Sequence, residues 1–126
     1  NNDNPVFYIQ YAHARISKVL EQWGGDISTL KLDDSFIFDS QIELKLIKNI
    51  SIYPEIIIQA TNELAPHQIA NFLKDCAADL HSYYNDSKFL VEDEKIRVAR
   101  LSLINSAKYV LKNGLGLLGI EAPQQM

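Results

Sequence analysis

Along most of the chain, apolar residues recur every three to four positions, the spacing of a buried helix face. Ile9, Ile16, Leu20 and Trp23 share one face of a first helix, from about Pro5 to Gln22, and Gly24-Gly25 end it. Residues 26–39 read as a linker with one apolar patch, Phe36-Ile37-Phe38, that packs under a loop. Ser40-Gln41-Ile42-Glu43 is a capping box: Ser40 caps a free amide and Glu43 reaches back. A short second helix follows to about Asn49, and Pro54 suits the first turn of a third, running to about Asn62. Ile56-Ile57-Ile58 would suit a strand by propensity, but its flanks are helical. Pro66 opens a fourth helix behind a poor N-cap, Ala65. In it Ile69, Phe72, Leu73, Cys76, Ala77, Leu80 and Tyr83 form a buried stripe, and Asn85-Asp86-Ser87 end it. A fifth helix runs from about Asp93 to Asn113, with Asn113-Gly114 as its stop. The pattern predicts an all-α, five-helix bundle.

A chain of 126 residues, 47% hydrophobic and 22% charged, suits a single domain spanning 1–126 with a real core. No apolar run is long enough for a membrane helix, and the start has no signal-peptide character. The absence of an initiator Met points to a fragment of a longer protein. Cys76 is the single cysteine, which excludes an internal disulfide and fits a reducing compartment. A net charge of −4 argues against duplex DNA as a partner, but leaves room for a local basic stripe.

On a helical wheel, Tyr8, Tyr11 and Arg15 fall within roughly 60° of one another. Aromatic rings and a guanidinium on one stripe suit single-stranded RNA, whose splayed bases stack on such groups. The same spacing also suits half-buried packing tyrosines with Arg15 in a surface ion pair. Arg97, Arg100, Lys108 and Lys112 fall within about 120° on the fifth helix, as phosphate contacts or as a solvated face paired with acids. His13 and His67 stand alone. His81 lies beside Tyr83-Tyr84-Asn85, as a pocket wall or as packing. No second ligand sits at metal spacing, so no metal site is expected. No phosphate loop and no nucleophile–base pair occurs, so no catalytic residue is assigned. Leu115 to Ile120 is a short apolar tail, and an ordered terminus of this kind is usually put to use.

Two end segments resemble a known family. Asn4–Ile16, NPVFYIQYAHARI, is similar to the stretch of arginyl-tRNA synthetases that leads from the catalytic domain into the anticodon-binding domain. Arg100–Met126, with NGLGLLGIEAP near its end, resembles that family's C-terminus. Pro66-His67 and Leu80-His81-Ser82-Tyr83-Tyr84-Asn85 match its fourth-helix pattern. The D-A-L-R signature of this domain type reads Glu94-Lys95-Ile96-Arg97, keeping the apolar residue and the arginine. The acidic cap usual before the proline is Ala65, and the P-E-R-M-like ending reads Pro-Gln-Gln-Met.

The resemblance implies a C-terminal anticodon-binding domain of a class I synthetase that joins arginine to its tRNA with ATP. HIGH-type and KMSKS-like sequences are absent, so the active site, with ATP and Mg, would lie in the parent enzyme's catalytic domain. It further implies tRNA-Arg and that catalytic domain as partners, a cytoplasmic monomer, and no membrane or DNA partner. Tyr8, Arg15 and Met126 match the family's anticodon pocket, with Tyr11, Tyr84 and Asn85 as secondary candidates. Tyr8 and Met126 would floor one base while Arg15 supplies charge. The cysteinyl and glycyl enzymes share the domain type, but the YAHAR and NGLGLLG segments favour arginyl. The alternative is a helical interaction or dimerisation module without RNA, carried by Phe36-Ile37-Phe38 if that patch is exposed.

Overall fold

The computed structural model describes residues 4–31 and 36–126. Among them the elements are four helices: α1 (Pro5–Trp23), α2 (Gln41–Asn62), α3 (Pro66–Asp86) and α4 (Glu94–Leu117), with a 3-10 turn at Ile27–Thr29. The all-α expectation holds and Ile56–Ile58 is helical, but the count of five is corrected to four. α3 packs against each of the other helices, and both α1 and α2 also reach α4. Leu73, Ala77, Leu80 and Tyr83 of α3 are therefore buried among Ile9 and Ile16, Leu46, and Leu101, Ile104 and Leu111.

The expected second and third helices are one. Pro54 lies inside α2. A proline there removes a helix bond and disfavours the helix by about 3 kcal/mol. Its ring is on the exposed side, while Leu46, Ile50, Tyr53, Ile57 and Ala60 bury against the core on both sides of it. Tertiary burial carries the helix across the proline. Asn49, read as the helix end, is instead a contact: its amide donates to Asp79 Oδ2 at 2.8 Å. Lys45 reaches the same carboxylate at 3.0 Å, tying α2 to α3.

Only half of the expected capping box forms. Ser40 Oγ accepts from Glu43 N, but the Glu43 side chain turns into the core. Its Oε2 accepts from the Tyr83 hydroxyl at 2.6 Å and lies 3.5 Å from Arg100 Nε. The three side chains link α2, α3 and α4. Burial, then the bond to Glu43, pushes the Tyr83 phenol well above its usual range. The apolar linker patch divides: Phe38 packs on the core, Phe36 covers the start of α4, and Ile37 is 83% exposed.

Asn113-Gly114 does not stop α4, which continues to Leu117. Asn113 Oδ1 accepts from the Tyr53 hydroxyl at 2.6 Å. Gly114 is buried against Leu73, and a Cβ there would stand 2.7 Å from both Leu73 methyl carbons. The true stop is Gly119, with φ of 73°. Ile120 N donates to Leu115 O and Gly119 N to Gly116 O, the pair of bonds of a Schellman ending. α2 ends the same way, but with Leu64 in the left-handed position at φ 52°.

Two substitutions should therefore act with opposite signs. In an exposed helix Gly→Ala stabilises by roughly 1 kcal/mol. Gly114→Ala should instead destabilise by about 1–3 kcal/mol, because Leu73 is fully buried and has little room to move. Leu64 is 89% exposed, so Leu64→Gly removes strain and little packing. It should raise stability by about 1 kcal/mol. Urea unfolding of both variants measures this, and a stabilised Gly114→Ala would sink the packing account.

Candidate nucleic-acid interface

The segment Tyr11-Ala12-His13-Ala14-Arg15 sets up the site from one helix. Ala12 and Ala14 are buried and short, so neighbouring chain can lie close to α1. His13 is 1% exposed, and its Nδ1 lies 2.8 Å from Pro123 O. A carbonyl only accepts, so Nδ1 carries the proton and donates. One turn earlier, Gln10 Nε2 donates to Glu121 O at 2.9 Å. After the Schellman turn, then, the tail crosses α1 and is fastened there at two backbone carbonyls. Leu118, Ile120 and Ala122 add apolar contact with the core.

This fastening places Gln124, Gln125 and Met126 along one wall of a cleft of about 590 Å³. Tyr11, Ala14, Arg15, Lys18, Glu21 and Gln22 of α1 form the opposite wall, and Tyr84 of α3 completes it. The Arg15 guanidinium carbon lies 3.9 Å from the Tyr84 ring centroid and 5.1 Å from that of Tyr11. Its Nη1 is 3.0 Å from His81 Nδ1. Among the described residues no carboxylate pairs with Arg15. The surface ion pair that sequence spacing left open is not found among the described residues. The result is a charge held by aromatic faces and a ring nitrogen beside open space, suited to a planar or anionic guest.

The predicted residues divide around this cleft. Tyr11, Arg15, Tyr84 and Met126 meet on it. Tyr8 is not on its wall: its ring packs 4.6 Å from that of His81. The aromatic surface that shares the cleft with Met126 is that of Tyr11 and Tyr84, whereas the expected floor paired Met126 with Tyr8. Asn85 is exposed on the last turn of α3, outside the lining. Arg97 Nη1 donates to Val91 O and Glu92 O, both at 3.0 Å. Arg100 Nη1 donates to Lys88 O at 2.6 Å. These two arginines close the loop before α4, and they do not line the cleft. Lys108 and Lys112 lie near enough to His13 for their charges to act on its imidazole. Burial lowers the Lys108 ammonium's pKa, with Lys112 adding to the effect.

Sequence reasoning passed over Gln10 and His13 as tail fasteners, His81 as the partner of Arg15, and Lys18, Glu21 and Gln22 as lining. One signal was available: a histidine between two alanines on a buried face has room for a backbone, not a side chain, to approach. Among the described residues no three His, Cys, Asp or Glu side chains gather into a metal cluster. No helix there is long and apolar enough to cross a membrane.

A helical bundle with this arrangement occurs in solved synthetases. A Thermus thermophilus arginyl-tRNA synthetase superposes with a TM-score of 0.81 at 34% identity, over 94% of this chain and 21% of that one. A Campylobacter jejuni chain assigned as an arginyl-tRNA synthetase superposes at 0.87 with 29% identity, over 100% of this chain and 27% of that one. The chain belongs to the DALR anticodon binding domain family, whose profile matches residues 9–126. Its relatives include the arginine–tRNA ligases of Thiobacillus denitrificans, 47% identical, and Polynucleobacter necessarius, 45% identical, each over all 126 residues. The chain spans 23% and 22% of those two proteins.

Both buried histidines make stability depend on pH. Burial holds His13 below its ordinary value of 6.5, and the cations Lys108 and Lys112 push it the same way against the pull of the Pro123 carbonyl. Burial also lowers His81, with Arg15 adding to it and the Tyr8 carbonyl opposing. The unfolded chain therefore takes up protons near 6.5 before the folded one does. Stability from the neutral rings is complete above that pH and is lost as pH falls below it. Urea unfolding from about pH 7.5 to about pH 5 should show this decline beginning above the carboxylate range. Replacing His81 with Gln should remove part of it; an unchanged slope would refute the assignment.

Proposed function

We propose that this chain is the anticodon-binding domain of an arginine–tRNA ligase, and that its cleft receives an unstacked base of the tRNA-Arg anticodon loop. The base would lie among Tyr11, Tyr84 and Met126. Arg15 would supply charge or a base-edge hydrogen bond, and Lys18 would add a second cation. One stacked base contributes about 1–3 kcal/mol, enough to register the loop but not to hold a whole tRNA. With a net charge of −4, this chain leaves most phosphate neutralisation to the rest of the enzyme. ATP and Mg would act in the catalytic domain, in the cytoplasm, where the parent enzyme works as a monomer without membrane or DNA partners. Of the basic residues considered for phosphate, Lys108 and Lys112 stay in this proposal, whereas Arg97 and Arg100 are engaged by backbone carbonyls.

The observation that carries this reading is Arg15: a guanidinium between two tyrosine rings, with no carboxylate partner among the described residues, on the wall of an open cleft. The partner-module alternative loses its main support, because Phe38 packs on the core and Phe36 is half-buried against the start of α4, which leaves Ile37 as the strongly exposed residue of the patch.

In the full enzyme, Arg15→Ala should lower kcat/KM for tRNA-Arg by about tenfold or more. Deleting Met126 should weaken discrimination between tRNAs that differ only in the anticodon. Steady-state aminoacylation with wild-type and anticodon-substituted transcripts measures both. Unchanged discrimination in both variants would refute the pocket.

A further inference from the structure

We propose that His81 is a positioning residue of the RNA site, holding the Arg15 guanidinium through its Nδ1 lone pair so that the remaining N–H groups serve the bound RNA. The proposal rests on the reading of the cleft as an RNA site.

The bonding fixes the state of the ring. Arginine can only donate, so His81 Nδ1, 3.0 Å from Arg15 Nη1, must accept. The other nitrogen, Nε2, lies 3.3 Å from Tyr8 O, which can only accept, so Nε2 carries the hydrogen. One neutral tautomer satisfies both partners. His81 is 9% exposed, and the tyrosine rings of Tyr8 and Tyr11 lie 4.6 and 5.5 Å from its own. It therefore sits behind the wall, not on it, and has little freedom to turn away. The titratable or charged groups against it are Arg15, Tyr8 and Tyr11, all from α1. Among the described residues no acid is within ion-pair distance to stabilise an imidazolium.

Tyr84 and Tyr11 fix the faces of the guanidinium, and His81 fixes one edge. A protonated His81 would set an N–H against an N–H and a cation against a cation. Arg15 would then leave its position, and RNA binding would weaken. A histidine touching phosphate directly gives the opposite sign, because its protonation strengthens binding. Acidification therefore separates positioning from contact.

The test titrates the His81 imidazole and the Arg15 guanidinium signals of the 126-residue chain by NMR. In parallel, affinity of the full enzyme for tRNA-Arg is measured over the same pH range at constant salt. Expected is a level affinity at neutral pH that falls about tenfold through His81's own titration, with the ordered Arg15 signal lost at the same midpoint. His81→Gln offers an amide oxygen to Arg15; it should bind as wild type does at neutral pH and show no such midpoint. His81→Phe should bind about tenfold more weakly at neutral pH. An affinity that stays level or rises across the His81 titration overturns the proposal, and the wild-type profile decides this whether or not a variant folds. If Arg15→Ala leaves the full enzyme's affinity for tRNA-Arg unchanged at neutral pH, the RNA reading itself is overturned. The Arg15 signal then still reports whether His81 holds the guanidinium.

Discussion

The close approach of α3 and α4 at Gly114 is the constraint from which the rest of the architecture follows. Without a side chain at that position, the two backbones settle around Leu73, which is fully buried. That contact keeps the last turns of α4 over the core, with Leu115 beneath them. The chain then turns at Gly119 and can reach α1 within a few residues. A wider separation would carry the Schellman turn away from α1 and leave Gln10 and His13 without carbonyls to bind. Helix packing on one side of the molecule thereby determines whether a cleft exists on the other.

α1 holds the site because its successive residues point to different tasks. Tyr11 faces open space, His13 takes the tail, and Arg15 stands against α3. A single helical turn thus faces the guest, the closing segment and the supporting helix. The central helix answers with Tyr84 against the guanidinium and His81 behind it. Among the described residues the Arg15 charge has no carboxylate partner, and aromatic faces and a ring nitrogen stand in for water without neutralising it.

Fold class was legible because every segment keeps the helical period. Helix number was not, and the reason is chemical. Asn49, Pro54, Asn113 and Gly114 read as punctuation, since each weakens a helix in isolation. In the folded chain Asn49 binds Asp79, Asn113 binds Tyr53, and Gly114 admits Leu73. Pro54 is carried by burial on either side. A local scale cannot distinguish a residue that ends a helix from one that joins two helices. The cleft was half legible in the same sense. Wheel angles group Tyr8, Tyr11 and Arg15, yet only the packing of the bundle decides that Tyr8 lies against the core while Tyr11 lines the cleft. The role of the tail came from family resemblance alone, because no periodicity relates Pro123 to His13. Glu43 reads from its motif as a capping residue, and a buried tyrosine hydroxyl competes successfully for its carboxylate.

Both tail fasteners grip main-chain carbonyls, those of Glu121 and Pro123. Neither bond reads the side chains that follow. The support of the wall is therefore indifferent to what the wall is made of. Gln124 and Gln125 can be exchanged for other side chains, and the cleft keeps its shape. Such an arrangement separates the evolution of recognition from the evolution of the scaffold. Residues 124–126 become an exchangeable cassette, through which the preference of the pocket can drift, or be rewritten by design, without any change to the helices that hold it.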